Sequence, residues 1–118
     1  MEFELDHEVE GVFDILSPRG EIDIATQAQL RVEMARLLDA GRSNLVVDMT
    51  ETTFIDSSAL GCLVFGRDRA VAAGGTFAVI TQRPRIVRLF ELTRLDEMLA
   101  RHATRDDWRA RSTRRIDE

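Results

Sequence analysis

A chain of 118 residues suits one compact domain and not two. Hydrophobic residues make up 44% of it, which supports a packed core and argues against disorder. No apolar run approaches the roughly 20 residues of a membrane span, and a formal net charge of -5 argues against nucleic acid as a direct partner.

Residues 1–14 carry six acids and no arginine or lysine, without the basic start and apolar stretch of a signal peptide. The expectation is a soluble, cytoplasmic protein. Phe3, Leu5, His7 and Val9 alternate with Glu2, Glu4, Asp6, Glu8 and Glu10, a strand with one wet face. After a turn at Gly11, Val12 to Ser17 reads as a second strand, closed into a hairpin and ended by Pro18-Arg19-Gly20. A helix follows, with Asp23 or Thr26 as its N-cap. Leu30, Met34, Leu37 and Leu38 form its apolar stripe, and Gly41 is placed to stop it.

Leu45-Val46-Val47 is a short, continuous apolar run of the kind found in a central strand. The chain then crosses to Asp56-Ser57-Ser58, where a helix is predicted to begin and to run to about Ala73 before Gly74-Gly75. Ser57 is placed as the cap of that helix, where unpaired backbone N–H groups also accept a phosphate. Thr76 to Ile80 is a further buried strand. Pro84 opens a helix with Ile86, Val87, Leu89, Phe90 and Leu92 on its apolar face. Leu95 to Leu99 reads as a short strand or turn. Thr104-Arg105-Asp106-Asp107 looks like a capping box that starts a C-terminal helix carrying Trp108 as its anchor. The order β-β-α-β-α-β-α with a tail helix implies an α/β fold with a mostly parallel, mixed sheet and one antiparallel hairpin.

Phe54-Ile55-Asp56-Ser57-Ser58-Ala59-Leu60-Gly61 carries most of the functional information. With Gly20-Glu21-Ile22-Asp23, Leu45-Val46-Val47-Asp48, Gly74-Gly75 and Val87-Arg88-Leu89-Phe90-Glu91-Leu92, it resembles the STAS domain of bacterial anti-sigma factor antagonists. The resemblance implies a STAS domain over residues 1–100, with 101–118 a helical extension of the same domain. It implies that Ser57 is phosphorylated by an anti-sigma factor that is a GHKL-type serine kinase. It further implies that a PP2C-type phosphatase removes the phosphate, and that the unphosphorylated form binds the anti-sigma factor and frees a sigma factor. Asp23, Asp56, Ser58 and Gly61 would form the phosphosite environment. Many members carry glycine where this chain has Ala59.

Helical spacing after Ser57 assigns Leu60, Leu63, Val64 and Val71 to the sheet and leaves Ser58, Cys62, Phe65 and Arg69 on the outer face, flattened by Gly61 and Gly66. That outer face reads as a docking surface for the partner, through Cys62, Phe65 and Arg69. The C-terminal helix is the alternative cover for it.

Enzymatic readings find little material. All 16 basic residues are arginine, so Schiff-base chemistry, Walker A phosphate binding and a lysine-dependent receiver using Asp48 all lack their ammonium group. Two histidines and one cysteine leave little material for a nucleophilic triad or a metal site, and one thiol cannot build a cysteine zinc site. Asp-Ser-Ser-Ala also lacks the glycines of a hydrolase nucleophile elbow. The expectation is a protein with no catalytic activity, cofactor or metal. The alternative within the resemblance is a STAS scaffold that is never phosphorylated, in another signalling or lipid-transport assembly.

Overall fold

The computed structural model describes residues 2–116. Among them are six strands, β1 Glu4–Glu10, β2 Phe13–Ile22, β3 Asn44–Asp48, β4 Thr52–Ile55, β5 Thr76–Ile80 and β6 Ala100–His102. Four helices, α1 Gln27–Asp39, α2 Ser57–Ala72, α3 Pro84–Leu92 and α4 Arg105–Ile116, alternate with them, and a 3-10 turn at Leu95–Glu97 precedes β6. The strands form one sheet in the order β1-β2-β3-β5-β6, with β4 paired to β2. β1 and β2 run antiparallel, and every other pairing is parallel. This is the α/β architecture expected from the alternation of strand and helix signals.

Three strand boundaries differ from the sequence reading, and a change of partner explains the first two. β2 does not stop at Pro18. Its first half pairs with β3 through Asp14–Leu16, and its last residues, Gly20–Ile22, pair with β4. Pro18 lies between the two parallel ladders, where a missing N–H is tolerated. Gly20 takes φ +105° at the register shift that follows. The segment read as a crossing, Met49 to Ile55, contains the short strand β4, which Thr52 ties to β2 by donating its hydroxyl to the Pro18 carbonyl at 2.8 Å. The third difference is β6, three residues after the turn at Leu95–Glu97, which extends the sheet beyond β5.

Side chains alternate across the sheet. Leu16, Leu45, Val47, Phe77 and Val79 meet α1, α2 and α3 on one face, in the larger core. Phe13, Ile15, Val46 and Ile80 point to the other face, where α4 covers them. Trp108 is buried there, edge-on to Phe13 at 5.1 Å and 81°. Thr104 caps α4 as its sequence suggests, accepting from the Asp107 N–H at 3.1 Å.

The orientation of α2 corrects the helical-wheel assignment. Its buried residues are Ala59, Cys62, Leu63, Gly66 and Ala70, whereas Val71 is exposed. Cys62 therefore packs inside, and Gly66 faces inward rather than flattening an outer surface. The cover over this side is α1, not the C-terminal helix, which lies across the sheet. A Cβ on Gly66 would come within 2.5 Å of Met34 Sδ and 2.8 Å of the Phe77 ring. No helix among the described residues is long and apolar enough to cross a membrane.

Candidate functional site

β2 and β4 end side by side. Ile22 pairs with Ile55, and the Asp56 N–H donates to the Ile22 carbonyl at 3.2 Å. Each strand is followed at once by an aspartate that turns the chain into a helix. The ends of parallel strands thus gather Asp23 and Asp56 at one rim of the sheet.

Asp23 and Thr26 form a reciprocal box ahead of α1. The Asp23 Oδ1 accepts from the Ala25 and Thr26 N–H groups at 3.0 and 2.9 Å, and the Thr26 hydroxyl accepts from the Asp23 N–H at 2.8 Å. That hydroxyl in turn lies 2.8 Å from the Glu21 carbonyl, which it can donate to. Both residues named as possible caps therefore act together. The Thr26 N–H and hydroxyl hold the Asp23 carboxyl below its ordinary value, and the residue is ionised at neutral pH.

Asp56, not Ser57, is the N-cap of α2. Its backbone is extended, with φ −109° and ψ −174°, while Ser57 is already the first helical residue. Asp56 Oδ1 accepts from the N–H groups of Ser58 and Ala59 at 2.9 and 3.2 Å, and from the Ser58 hydroxyl at 2.5 Å. The carboxylate reaches the orphan N–H groups of the first turn better than a serine one position later could. Its pKa is lowered chiefly by the Ser58 hydroxyl, then by the Ala59 and Ser58 N–H groups, while the nearby Asp23 charge pushes it the other way. All of these bonds fall on Oδ1.

The two serines are thereby distinguished. Ser58 is half-buried and its hydroxyl is committed to Asp56. Ser57 is exposed, and its hydroxyl makes no hydrogen bond to the described residues. A nucleophile of its own would need an adjacent base. The histidines lie elsewhere: His7 on β1 is 2.8 Å from Asp14, and His102 is on β6 at the far edge of the sheet.

Further along α2, the residues expected to meet a partner separate. Cys62 has no exposed surface; its Sγ sits 3.6 Å from the Gln27 carbonyl, and burial pushes the thiol up to about 11. It is a packing residue. Phe65 is half-buried against α1, with the Arg31 guanidinium 4.4 Å and that of Arg69 5.5 Å from its ring centre. Arg69 is exposed and reaches Asp39 at 3.4 Å. Arg67, which the wheel turned inward, is half-exposed and pairs with Asp68. Gly61 is exposed one turn from Ser57, and a Cβ there would meet nothing within 4 Å. Phe54, on β4 just before the site, is 50% exposed, a surface that the alternation of the sequence gave no reason to leave open.

Comparison with known proteins gives a consistent picture. The model of the STAS domain family matches residues 5–108. The anti-sigma-B factor antagonist of Bacillus subtilis (strain 168) is 28% identical over 80 residues, 68% of this chain and 72% of that protein. An anti-sigma factor antagonist from Mycobacterium paratuberculosis superposes with a TM-score of 0.82 at 25% identity, covering 90% of each chain. The Bacillus cell fate determinant SpoIIAA, solved in its phosphorylated form, has the same fold, with a TM-score of 0.72 at 20% identity over 93% of this chain and 98% of that one.

Proposed function

The chain belongs to the STAS domain family, and on that premise we propose that it is an anti-sigma factor antagonist switched by phosphorylation of Ser57. The observation that carries this reading is the division of labour at the rim: Asp56 caps α2 and engages Ser58, leaving the Ser57 hydroxyl exposed and uncommitted. The unphosphorylated protein binds a GHKL-type anti-sigma factor kinase and so frees a sigma factor. In the bound state the Ser57 oxygen attacks the γ-phosphorus of the kinase's ATP, ADP leaves, and the hydroxyl proton passes to a base of the kinase. A PP2C-type phosphatase hydrolyses the ester with water and releases inorganic phosphate. The protein is a substrate and a binding module, working in the cytoplasm, with no chemistry of its own.

The switch acts at the interface and not by unfolding. A phosphate adds about −1.5 to −2 charges, and the first turn of a 16-residue helix tolerates or favours that charge. It joins the ionised Asp23 and Asp56 on one rim, where a partner's carboxylates are repelled. Unit like charges about 5 Å apart at an effective dielectric of about 20 repel by about 3 kcal/mol, on the order of a hundredfold in affinity.

Incubation with the kinase and ATP is expected to add one phosphate, seen by mass spectrometry and absent from Ser57→Ala. A full phosphate on Ser57→Ala moves the site elsewhere. Ser57→Glu should weaken kinase binding by tenfold or more with a nearly unchanged Tm. Equal binding of wild type and Ser57→Glu would instead favour an unphosphorylated scaffold.

A further inference from the structure

The arginines of this acidic protein are mostly engaged. Arg19, Arg42, Arg105 and Arg109 bridge to carboxylates across strands and loops, and Arg83 donates to the Thr52 carbonyl. Arg85 and Arg88 on α3 are exceptions: both are exposed, with no ion pair or hydrogen bond to the described residues. They border an open groove between α3 and β4, of about 290 Å³, lined by Phe54, Ile86, Leu89 and Leu92. Phe54 is 50% and Leu92 66% exposed. Two large apolar side chains beside two unpaired cations form an unusual exposed patch for a small soluble domain.

We propose that this groove docks an acidic, amphipathic segment of the anti-sigma factor, whose apolar side chains enter between Phe54 and Leu92 while its carboxylates pair with Arg85 and Arg88. The inference rests on the reading of Ser57 above and extends the same interface. Three features select this occupant. The groove is continuous with the phosphosite, since β4 runs from Phe54 and Ile55 straight into Asp56 and Ser57. Its volume of about 290 Å³ lies at the floor of the about 300–1,000 Å³ typical of small-molecule pockets, and a partly open groove of that size suits a few side chains of a docked chain. Two cations on a molecule of net charge -5 are too few to hold an anionic membrane or a nucleic acid, yet they complement a few carboxylates at an apolar seam.

The groove holds the kinase without touching the reacting oxygen, so its loss reads as binding and not as chemistry. The experiment uses the purified kinase that phosphorylates Ser57, with wild type, Arg85→Glu/Arg88→Glu and Leu92→Ser as substrates. The expected result is a KM raised at least tenfold by the double charge reversal and several-fold by Leu92→Ser, with kcat within twofold. The salt dependence of KM should flatten in the charge reversal. All three altered side chains are exposed, so folding is retained, and circular dichroism checks this. A wild-type KM in the double variant, while Ser57→Glu still abolishes tight binding, overturns the groove and leaves the switch standing. Indifference of the kinase to Ser57→Glu overturns both. Arg85- and Arg88-dependent binding of wild type to anionic vesicles would assign the groove to a membrane and equally overturn the proposal.

Discussion

One carboxylate oxygen separates two adjacent serines. Asp56 Oδ1 gathers the Ser58 hydroxyl and two N–H groups, so Ser58 and Asp56 hold each other and the Ser57 hydroxyl is left exposed without a bond to the described residues. The Ser58 hydroxyl is the largest influence depressing the Asp56 pKa. A depressed carboxylate contributes stability above its unfolded value, near 3.8, and loses that contribution as pH falls through the lower folded value. In Ser58→Ala the folded value should rise toward 3.8, so the first turn of α2 loosens at a higher pH than in wild type. Carboxyl NMR titration of Asp56 measures this, and an unchanged titration would mean that the backbone N–H groups alone set it. Gly61 raises a related question. A glycine inside a helix costs about 0.8–1 kcal/mol against alanine, and nothing within 4 Å of its missing Cβ justifies it. Gly61→Ala should therefore stabilise the fold by up to about 1 kcal/mol in denaturant unfolding. Under the proposed function it should also weaken kinase binding, because the added methyl stands on the docking side one turn from Ser57. Higher stability with unaltered affinity would place the contact elsewhere.

At the scale of the element, α2 shows both what the sequence made legible and what it hid. Its start was readable because Asp-Ser-Ser follows an apolar strand run and precedes an unbroken helical stretch. The residue that caps it was misplaced by one, since aspartate and serine are both good caps and only the extended backbone of Asp56 decides. Its orientation was not readable from an apolar stripe, because Leu60, Leu63, Val64 and Phe65 spread over more than half of the helix circumference and the residues that are buried, small ones, lie mostly beside them. The informative signal was size: Ala59, Cys62, Gly66 and Ala70 form a row of small buried residues, which lets α1 and the sheet approach closely. The groove at Phe54 and Leu92 was missed for a similar reason. Leu92 sat on a good helical stripe, and no periodicity tells that the next element fails to cover it. In β2, Pro18 and Gly20 were read as an end because a strand that exchanges one parallel partner for another looks, locally, like a strand that stops. Two glycines on one helix should then respond oppositely. Gly66→Ala places a methyl 2.5 Å from Met34 Sδ and 2.8 Å from Phe77, and overpacking of this kind costs about 1–3 kcal/mol. Chemical denaturation of Gly61→Ala and Gly66→Ala side by side checks the sign of each; a stabilised Gly66→Ala would mean that Met34 swings aside without loss.

At the scale of the molecule, the sheet separates two tasks. Ser57, its aspartates and the α3 groove belong to the side bearing α1, α2 and α3, whereas α4 closes the opposite face. Trp108 is the anchor there, and ion pairs fix the helix around it: Arg105 to Asp48 and Glu8 at 2.8 and 2.5 Å, and Arg109 to Glu10 at 2.7 Å. These pairs join the tail to β1 and β3, far away in sequence, but they are partly exposed, so the indole and not the charge supplies most of the attachment. Trp108→Ala removes a fully buried aromatic from between Phe13, Ile15, Val46 and Ile80, a change that costs about 3–5 kcal/mol. Total stabilities of small domains are about 5–15 kcal/mol, so the variant should unfold at a markedly lower denaturant midpoint. Under the proposed function, because the sheet stands between Trp108 and Ser57, the fraction that is folded should be phosphorylated by the kinase with wild-type KM and kcat. A variant that unfolds early but is phosphorylated normally identifies α4 as a structural cover. A variant that stays folded and loses phosphorylation would show that the far face of the sheet biases the phosphosite, and that stability and switching are not separable in this fold.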